Sequence, residues 1–425
     1  MKNIDNLNSI LINILFIIFP FSLILGNLSI NLNIVLLCIC VFIFYYKSLI
    51  KFKYNFIDKI ILIFFFYTLI TLIINFLENY FIEEIFPEQI ISKTLFYFRY
   101  LALYLVVRFL ITKNIVNLSW FSFACAACAT FVCFDIFYQF IFGKNIFGIE
   151  PPGIRHFSGV FGEEVVAGGY LQKFSLFTLF LPFVLNKHLF HKNLIQISLF
   201  VVFTFGIMLS GNRMPLVLFV FSFFIFAFLN KELRKKIFTI FIIVFLFLSL
   251  NFSFNQTFKI NMKNFYVYGK NLANTFFIKD LTNAPIEVWK LPYVRPFYCG
   301  KHIWKKNPFF GGGIKSFRTA EVGCGSHPHN YYLEILSDLG LIGLSIILIL
   351  FFMLLYRIFK NKITIFPFNL YALDSKIMPF FIIFFIEFFP VRSTGSFFTT
   401  NNSSVIFIVL AVLVSLISKK KLYNY

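Results

Sequence analysis

Residues 326–357 read SHPHNYYLEILSDLGLIGLSIILILFFMLLYR. The stretch opens polar, with two histidines flanking Pro328, and from Leu339 carries no charge until Arg357. Pro328 blocks helix upstream of it, and Asn330 is suited to cap a first turn. A helix needs about 17–25 apolar residues to cross the hydrocarbon core of a bilayer. The run 339–357 meets that length, so a polar helix start feeds directly into a membrane span.

The same kind of run recurs along the chain, near 9–26, 29–46, 60–77, 95–112, 115–142, 168–186, 194–211, 214–229, 237–252, 339–357, 376–390 and 404–418. The composition agrees: of 425 residues 59% are hydrophobic and only 13% charged, where soluble chains carry about 25% charged residues. A soluble globular enzyme, a disordered chain and a disulfide-stapled secreted domain are excluded. The fold class is an all-α polytopic membrane protein of about twelve transmembrane helices. The 68 Phe, beside abundant Ile, Asn and Lys, read as a codon-composition bias at lipid-facing positions. The run 9–26 resembles a signal peptide in length, but no small-residue cleavage site follows it, so it reads as a retained helix.

Charge sets the orientation. Net charge is 38 − 18 = +20, and the basic residues collect in alternate connections: Lys47, Lys51, Lys53 and Lys59; Lys113; Lys187 and Lys192; Lys231, Arg234, Lys235 and Lys236; Arg357, Lys360 and Lys362; Lys419, Lys420 and Lys421. The intervening connections hold few, and 78–93 is acidic. By the positive-inside rule both termini are cytoplasmic. The positive charge is thus a topology signal, and nucleic acid is not expected as a partner. The chain divides into 1–252 (spans one to nine with an external loop at 143–167), a large external loop at 253–338, and 339–425 (spans ten to twelve and a cytoplasmic tail).

Cys38, Cys40, Cys125, Cys128 and Cys133 fall inside spans, as small apolar core residues do. Cys299 and Cys324 are the two cysteines of the large external loop. In an oxidising periplasm they form a candidate disulfide, worth about 3 kcal/mol by loop entropy.

Ionisable residues inside spans are costly and mark function or pairing. With this topology Arg99, Asp135, Lys173, Glu387, Arg213 and Arg392 share the outer third of the membrane. They read either as a partly desolvated cationic site or as separate ion pairs. Arg108, at the inner end of its span, is placed to snorkel to the cytoplasmic headgroups. No carboxylate sits mid-membrane in a broken helix, the usual place for one in an ion-coupled transporter.

His329 stands at a helix N-terminus on the outer side. The positive end of the helix lowers an imidazole's pKa, and a neutral imidazole can take a proton from a sugar hydroxyl. His327 reads as a flanking residue; His188, His191 and His302 read as surface residues. No second spaced Cys/His pair accompanies Cys324, so no metal is expected. Gly311-Gly312-Gly313 reads as a tight turn, because no Lys-Ser/Thr follows as in a phosphate loop.

The ordered motifs resemble one family. His329-Asn330-Tyr331-Tyr332-Leu333 followed by Leu336-Ser337-Asp338-Leu339-Gly340-Leu341-Ile342-Gly343 is similar to the signature of the O-antigen ligase and polymerase superfamily of bacterial membrane glycosyltransferases. Ser210-Gly211-Asn212-Arg213 resembles its Ser-Gly-X-Arg turn, and Asn307-Pro308-Phe309-Phe310-Gly311-Gly312-Gly313 resembles its glycine-rich stretch. Phe157 to Glu164 with Gly169-Tyr170-Leu171, and Arg392 to Ser396, are similar to loops of one ligase subgroup. The likeness spans roughly residues 130–400.

This resemblance implies a GT-C-like fold in a bacterial inner membrane, with a periplasmic site and a large periplasmic loop. It implies transfer of a glycan from undecaprenyl pyrophosphate to a sugar hydroxyl of lipid A-core or another glycan acceptor, without metal, nucleotide or other cofactor. His329 is the expected base or orienting donor. Arg213 and Arg295 are the expected pyrophosphate ligands, with Arg392, Arg155 and Lys173 as second choices. Arg295 reads equally as a solvated loop residue. A polymerase with the same donor is the alternative within the family, and a lipid-linked sugar flippase or exporter the alternative outside it.

Overall fold

A computed structural model describes residues 2–81, 88–153, 156–185, 192–229, 294–318, 325–359, 377–390, 392 and 395–420, with scattered positions between 242 and 270. Its helices are α1 (Lys2–Ile17), α2 (Phe19–Ile24), α3 (Asn27–Ile50), α4 (Phe56–Phe81), α5 (Glu88–Thr112), α6 (Leu118–Phe142), α7 (Ala167–Leu185), α8 (Lys192–Leu209), α9 (Arg213–Leu229), α10 (Val294–Lys306), α11 (Tyr331–Phe359), α12 (Met378–Glu387) and α13 (Thr400–Lys420). Among the described residues there is no strand; one isolated bridge pairs Gly153 with His156.

Seven described segments are long and apolar enough to cross a membrane: Leu7–Ile24, Asn27–Ile50, Phe56–Glu78, Glu88–Thr112, Leu118–Phe142, Tyr331–Phe359 and Thr400–Ser418. Shorter apolar helices run over Ser198–Leu209, Arg213–Phe226 and Met378–Glu387. Helices thus stand where the spans were expected, except at 237–252, which lies largely outside the described residues. The polar start of the quoted stretch leads directly into the helix that carries its span.

Local sequence explains the helix ends. Asn117 accepts Ser119 N at 2.9 Å and Trp120 N at 3.4 Å, capping α6, and Gly143 closes that helix in the left-handed conformation. Asn55 and Asp58 cap α4 reciprocally, Asp58 N donating to Asn55 Oδ1 at 3.0 Å and Asn55 N to Asp58 Oδ2 at 2.7 Å.

The bundle is organised around α13, whose residues 405–414 are all buried. A helix that is apolar on every side belongs in a core. It packs along α5, α12 and α3, while α6 lies along α7 and α4 along α11. Phe65, Tyr97, Tyr100 and Phe407 form one aromatic stack between α4, α5 and α13.

Arg108 does not snorkel. It is buried, with Nε 3.1 Å from Asp58 Oδ1 and Nη1 and Nη2 donating to Ser415 and Ser418, each at 3.2 Å. Tyr104 also donates to Asp58. A buried carboxylate that takes both a phenol and a guanidinium holds the arginine more firmly than headgroups can. The network joins α4, α5 and α13 at one end of the bundle. Removing one partner of such a pair costs about 3–5 kcal/mol, since the other charge stays buried. In a double-mutant cycle on the purified chain, Asp58→Asn and Arg108→Met should each lower the thermal midpoint, and the double variant should lose much less than their sum.

Candidate functional site

The site is built at the start of α11. Asn330 caps it: the side-chain oxygen accepts Leu333 N at 3.1 Å, and the main-chain carbonyl accepts Glu334 N at 3.0 Å. The same amide donates to the carbonyls of Pro390 (2.9 Å) and Arg392 (3.2 Å), so one side chain both starts the helix and ties it to the segment after α12. His329 enters the cap with φ 57°, a left-handed conformation that costs a non-glycine residue about 1 kcal/mol or more. Its ring lies against that of His327, with centroids 4.2 Å apart. Ser326 Oγ is 2.8 Å from His327 Nδ1.

Both imidazoles are held below the usual histidine pKa. Burial followed by the charges of His329, Arg318 and Lys315 brings His327 down to about 4. His329 is lowered by burial. Burial, and not the helix dipole, is the cause of the lowering at His329.

Downstream, the signature Ser337-Asp338-Leu339-Gly340 latches onto the glycine-rich loop. The helix breaks at Gly340 (φ 65°, ψ −169°), and the loop supplies what the break removes. Pro308 O accepts Leu341 N at 2.9 Å and Phe309 O accepts Ile342 N at 3.3 Å. In return Gly312 N donates to Ser337 O at 3.0 Å and Gly313 N to Asp338 O at 2.8 Å. The Asp338 carboxylate takes Lys315 N at 2.7 Å, Ser316 Oγ at 3.1 Å and Phe317 N at 3.4 Å. From α4, Tyr67 donates to Leu339 O at 2.9 Å and Asn75 to Gly311 O at 2.9 Å. The loop amides of Gly312 and Gly313 are spent on the helix, which makes the run a close-packed turn. A Cβ at Gly340 would run into the Phe309 carbonyl.

A buried ionic cluster stands beside the cap. Glu387, at the end of α12, is 2.6 Å from Arg392 Nη1, 3.3 Å from Lys173 Nζ and accepts from Tyr331 at 3.1 Å. Lys173 also donates to Asn402 at 2.9 Å, and the Arg392 guanidinium lies over the Tyr331 ring at 4.7 Å. All four ionic or phenolic residues are buried. One helix turn further, Glu334 accepts from Ser396 Oγ and, at 2.6 Å, from Phe397 N, fixing the loop before α13.

Of the six ionisable residues expected at one depth, the structure joins Lys173, Glu387 and Arg392. Asp135, on α6, instead accepts Ile146 N at 2.8 Å from the loop that follows its helix. Arg99 donates to Tyr100 Oη at 2.7 Å and Thr400 Oγ1 at 3.3 Å. Arg213 opens α9, half-buried, after a turn in which Gly211 has φ 73°. Asn212 of that turn accepts Gly168 N at 3.1 Å and donates to Val165 O at 3.2 Å, clasping the start of α7. His156 Nδ1 lies 3.3 Å from Ser210 O, which fastens the external loop to the same turn.

Arg295 is the second residue of α10 and exposed. One turn further along that helix Cys299 is disulfide-bonded and packs with Ile303 and Phe317. Cys324 and Arg155 lie outside the described residues. The sequence reading passed over Glu334, Tyr331, Ser396 and Asn402. Only the positions of Glu334 and Tyr331 directly behind the His-Asn pair hinted at them.

Glu387 is the single carboxylate between two buried cations. Glu387→Gln should lower the thermal midpoint in detergent markedly, at a cost of about 3–5 kcal/mol. Glu150→Gln should leave it unchanged, because the Lys144–Glu150 pair (3.3 Å) is exposed to water.

No curated protein matches the chain. Residues 198–348, from α8 through the latch in α11 and including Arg213, Arg295 and His329, match the family model described as O-antigen ligase, so the resemblance to the O-antigen ligase and polymerase superfamily holds over that stretch.

Proposed function

We propose that the protein transfers a glycan from undecaprenyl pyrophosphate to a sugar hydroxyl of lipid A-core, on the periplasmic face of a bacterial inner membrane. The observation that carries this is the His327–His329 pair, its rings 4.2 Å apart and set by Asn330 on a helix start within the matched segment. Both termini are assigned to the cytoplasm, and 143–167 and 253–338 to the periplasmic side, from the alternation of basic connections.

In this reading the acceptor oxygen attacks the anomeric carbon of the donor sugar. The bond to the pyrophosphate oxygen breaks, and the lipid pyrophosphate leaves with the electron pair. The hydroxyl proton passes to the imidazole of His329 and from there to solvent. Fixed cations replace a metal ion in holding the leaving group, and donors aimed where charge develops contribute most when they are preorganised. Arg213 takes that role, because it emerges from a turn clamped to α7. Arg295 takes it from the exposed end of α10. Arg155 is retained as a candidate on the same loop as His156. Lys173 and Arg392 share the one carboxylate of Glu387 inside the bundle, and act as positioning residues that hold Tyr331 and the cap.

His329→Ala and Arg213→Ala should abolish glycan transfer in cells while membrane abundance stays at the parental level. Polymer still reaching lipid A-core in the His329→Ala strain would overturn the mechanism, and a lipid-linked sugar exporter would tolerate that change. On a polysaccharide gel, loss of the chain should leave long polymer on undecaprenyl pyrophosphate. Single repeats on the core would point instead to a polymerase. Because the folded pKa of His329 lies below 6.5, the rate should be flat at pH 7 and fall only as pH drops through that lowered value. An acid limb centred above pH 7 in the initial-rate profile would contradict the assignment.

A further inference from the structure

The geometry points to a second anion-holding subsite, made by Lys93, Lys315 and Arg318 beside the His327–His329 pair, that takes a phosphate or carboxylate of one of the glycan substrates. It rests on the transfer reading above and adds residues that neither the motifs nor the ionic cluster contain.

Lys315 and Arg318 bracket one 3-10 turn, Arg318 N donating to Lys315 O at 3.0 Å. That hydrogen bond closes the turn and brings the two positions, and with them two like charges, close together. Lys315 keeps φ 65°, a left-handed conformation for a long side chain, because its N–H is bonded to Asp338. Backbone strain of that kind persists where the surroundings over-determine it. Arg318 is anchored by Nε to Ser326 O at 3.2 Å, and Ser326 is the residue that meets His327.

The third cation comes from α5. Ile90 packs against Gly313, and Lys93 follows three residues later on the same face of the helix. Lys93 and Arg318 both act on the Lys315 ammonium, and with burial as the largest cause they bring it down to about 8. The two carboxylates that face Lys315 are Glu334 and Asp338. Both accept neutral donors, Glu334 from Ser396 and Phe397, Asp338 from Ser316 and backbone amides. Among the described residues none of the three cations forms an ion pair. Like charges so arranged repel, and a bound anion relieves the repulsion while accepting charge-assisted hydrogen bonds.

The phosphate could belong to the lipid-linked donor, and an acidic group could equally be carried by the acceptor glycan; kinetics separate them. The full chain reconstituted in liposomes is compared with Lys315→Gln, Arg318→Gln and Lys93→Gln. Lys315→Gln keeps the backbone bond to Asp338. A rise of about ten-fold or more in KM for the donor alone, with kcat nearly unchanged, assigns the subsite to the donor's phosphate. The same rise for the acceptor alone assigns it to the acceptor. Unchanged KM values, or a loss confined to kcat, overturn the proposal.

A binding measurement separates this proposal from the transfer reading. Inorganic pyrophosphate should raise the thermal midpoint of the detergent-purified wild type at low salt, and the triple Gln variant should lose a large part of that rise, Arg213 and Arg295 supplying the remainder. Lys144→Gln should keep it. The shift stands even if no transfer is detected, in which case only the transfer reading fails. A wild type that does not respond, or a triple variant that responds equally, overturns the subsite.

Discussion

Every peptide group removed from water needs a partner, and in a membrane segment the helix itself supplies it. Gly340 breaks that provision in the middle of α11, and the chain repairs it with the loop at 308–313. The exchange is reciprocal: loop carbonyls take the amides after the break, and helix carbonyls take the loop amides. Asp338 extends the repair to residues 315–317. Without this interlock neither the histidine cap nor the cationic turn has a fixed place, because both hang from the two strands of chain that it fastens.

A second constraint holds the other flank. Glu387 bridges two buried cations and a phenol, and Asn330 bonds the backbone just beyond it. The cap therefore rests on α7, α12 and α13 as well as on its own helix. The buried cations spend their charge on rigidity, whereas Arg213 and Lys315 are half-buried and Arg295 and Arg318 exposed.

Much of the architecture was legible in the sequence because lipid imposes one period and one length. The runs that lie within the described residues fell where helices stand, and Pro328 with Asn330 located the start of α11 to the residue. The tight turn at 311–313 was legible too, from what fails to follow it. Long-range pairing was not legible. Arg108 looked like a residue reaching for headgroups, since Asp58 lies fifty positions earlier and Ser415 belongs to the last helix. Shared depth suggested one site for six ionisable residues, but depth carries no angular information, and Arg99 and Asp135 face other partners. Lys315 drew no attention, because nothing in its neighbours announces a left-handed lysine.

The bend at Gly340 has a bearing on how the protein sits in bilayers of different thickness. A straight helix answers a thicker or thinner membrane by tilting as a rod, and would swing any group mounted on its tip. Here the rod is jointed just outside its longest apolar portion, and the joint is locked by a loop that grips both arms. The angle between arms is thereby set by covalent geometry and hydrogen bonds rather than by lipid. Tilt of 341–359 is passed to the neighbouring helices as a rigid unit, and the distance between imidazole and lysine stays constant while the whole assembly leans.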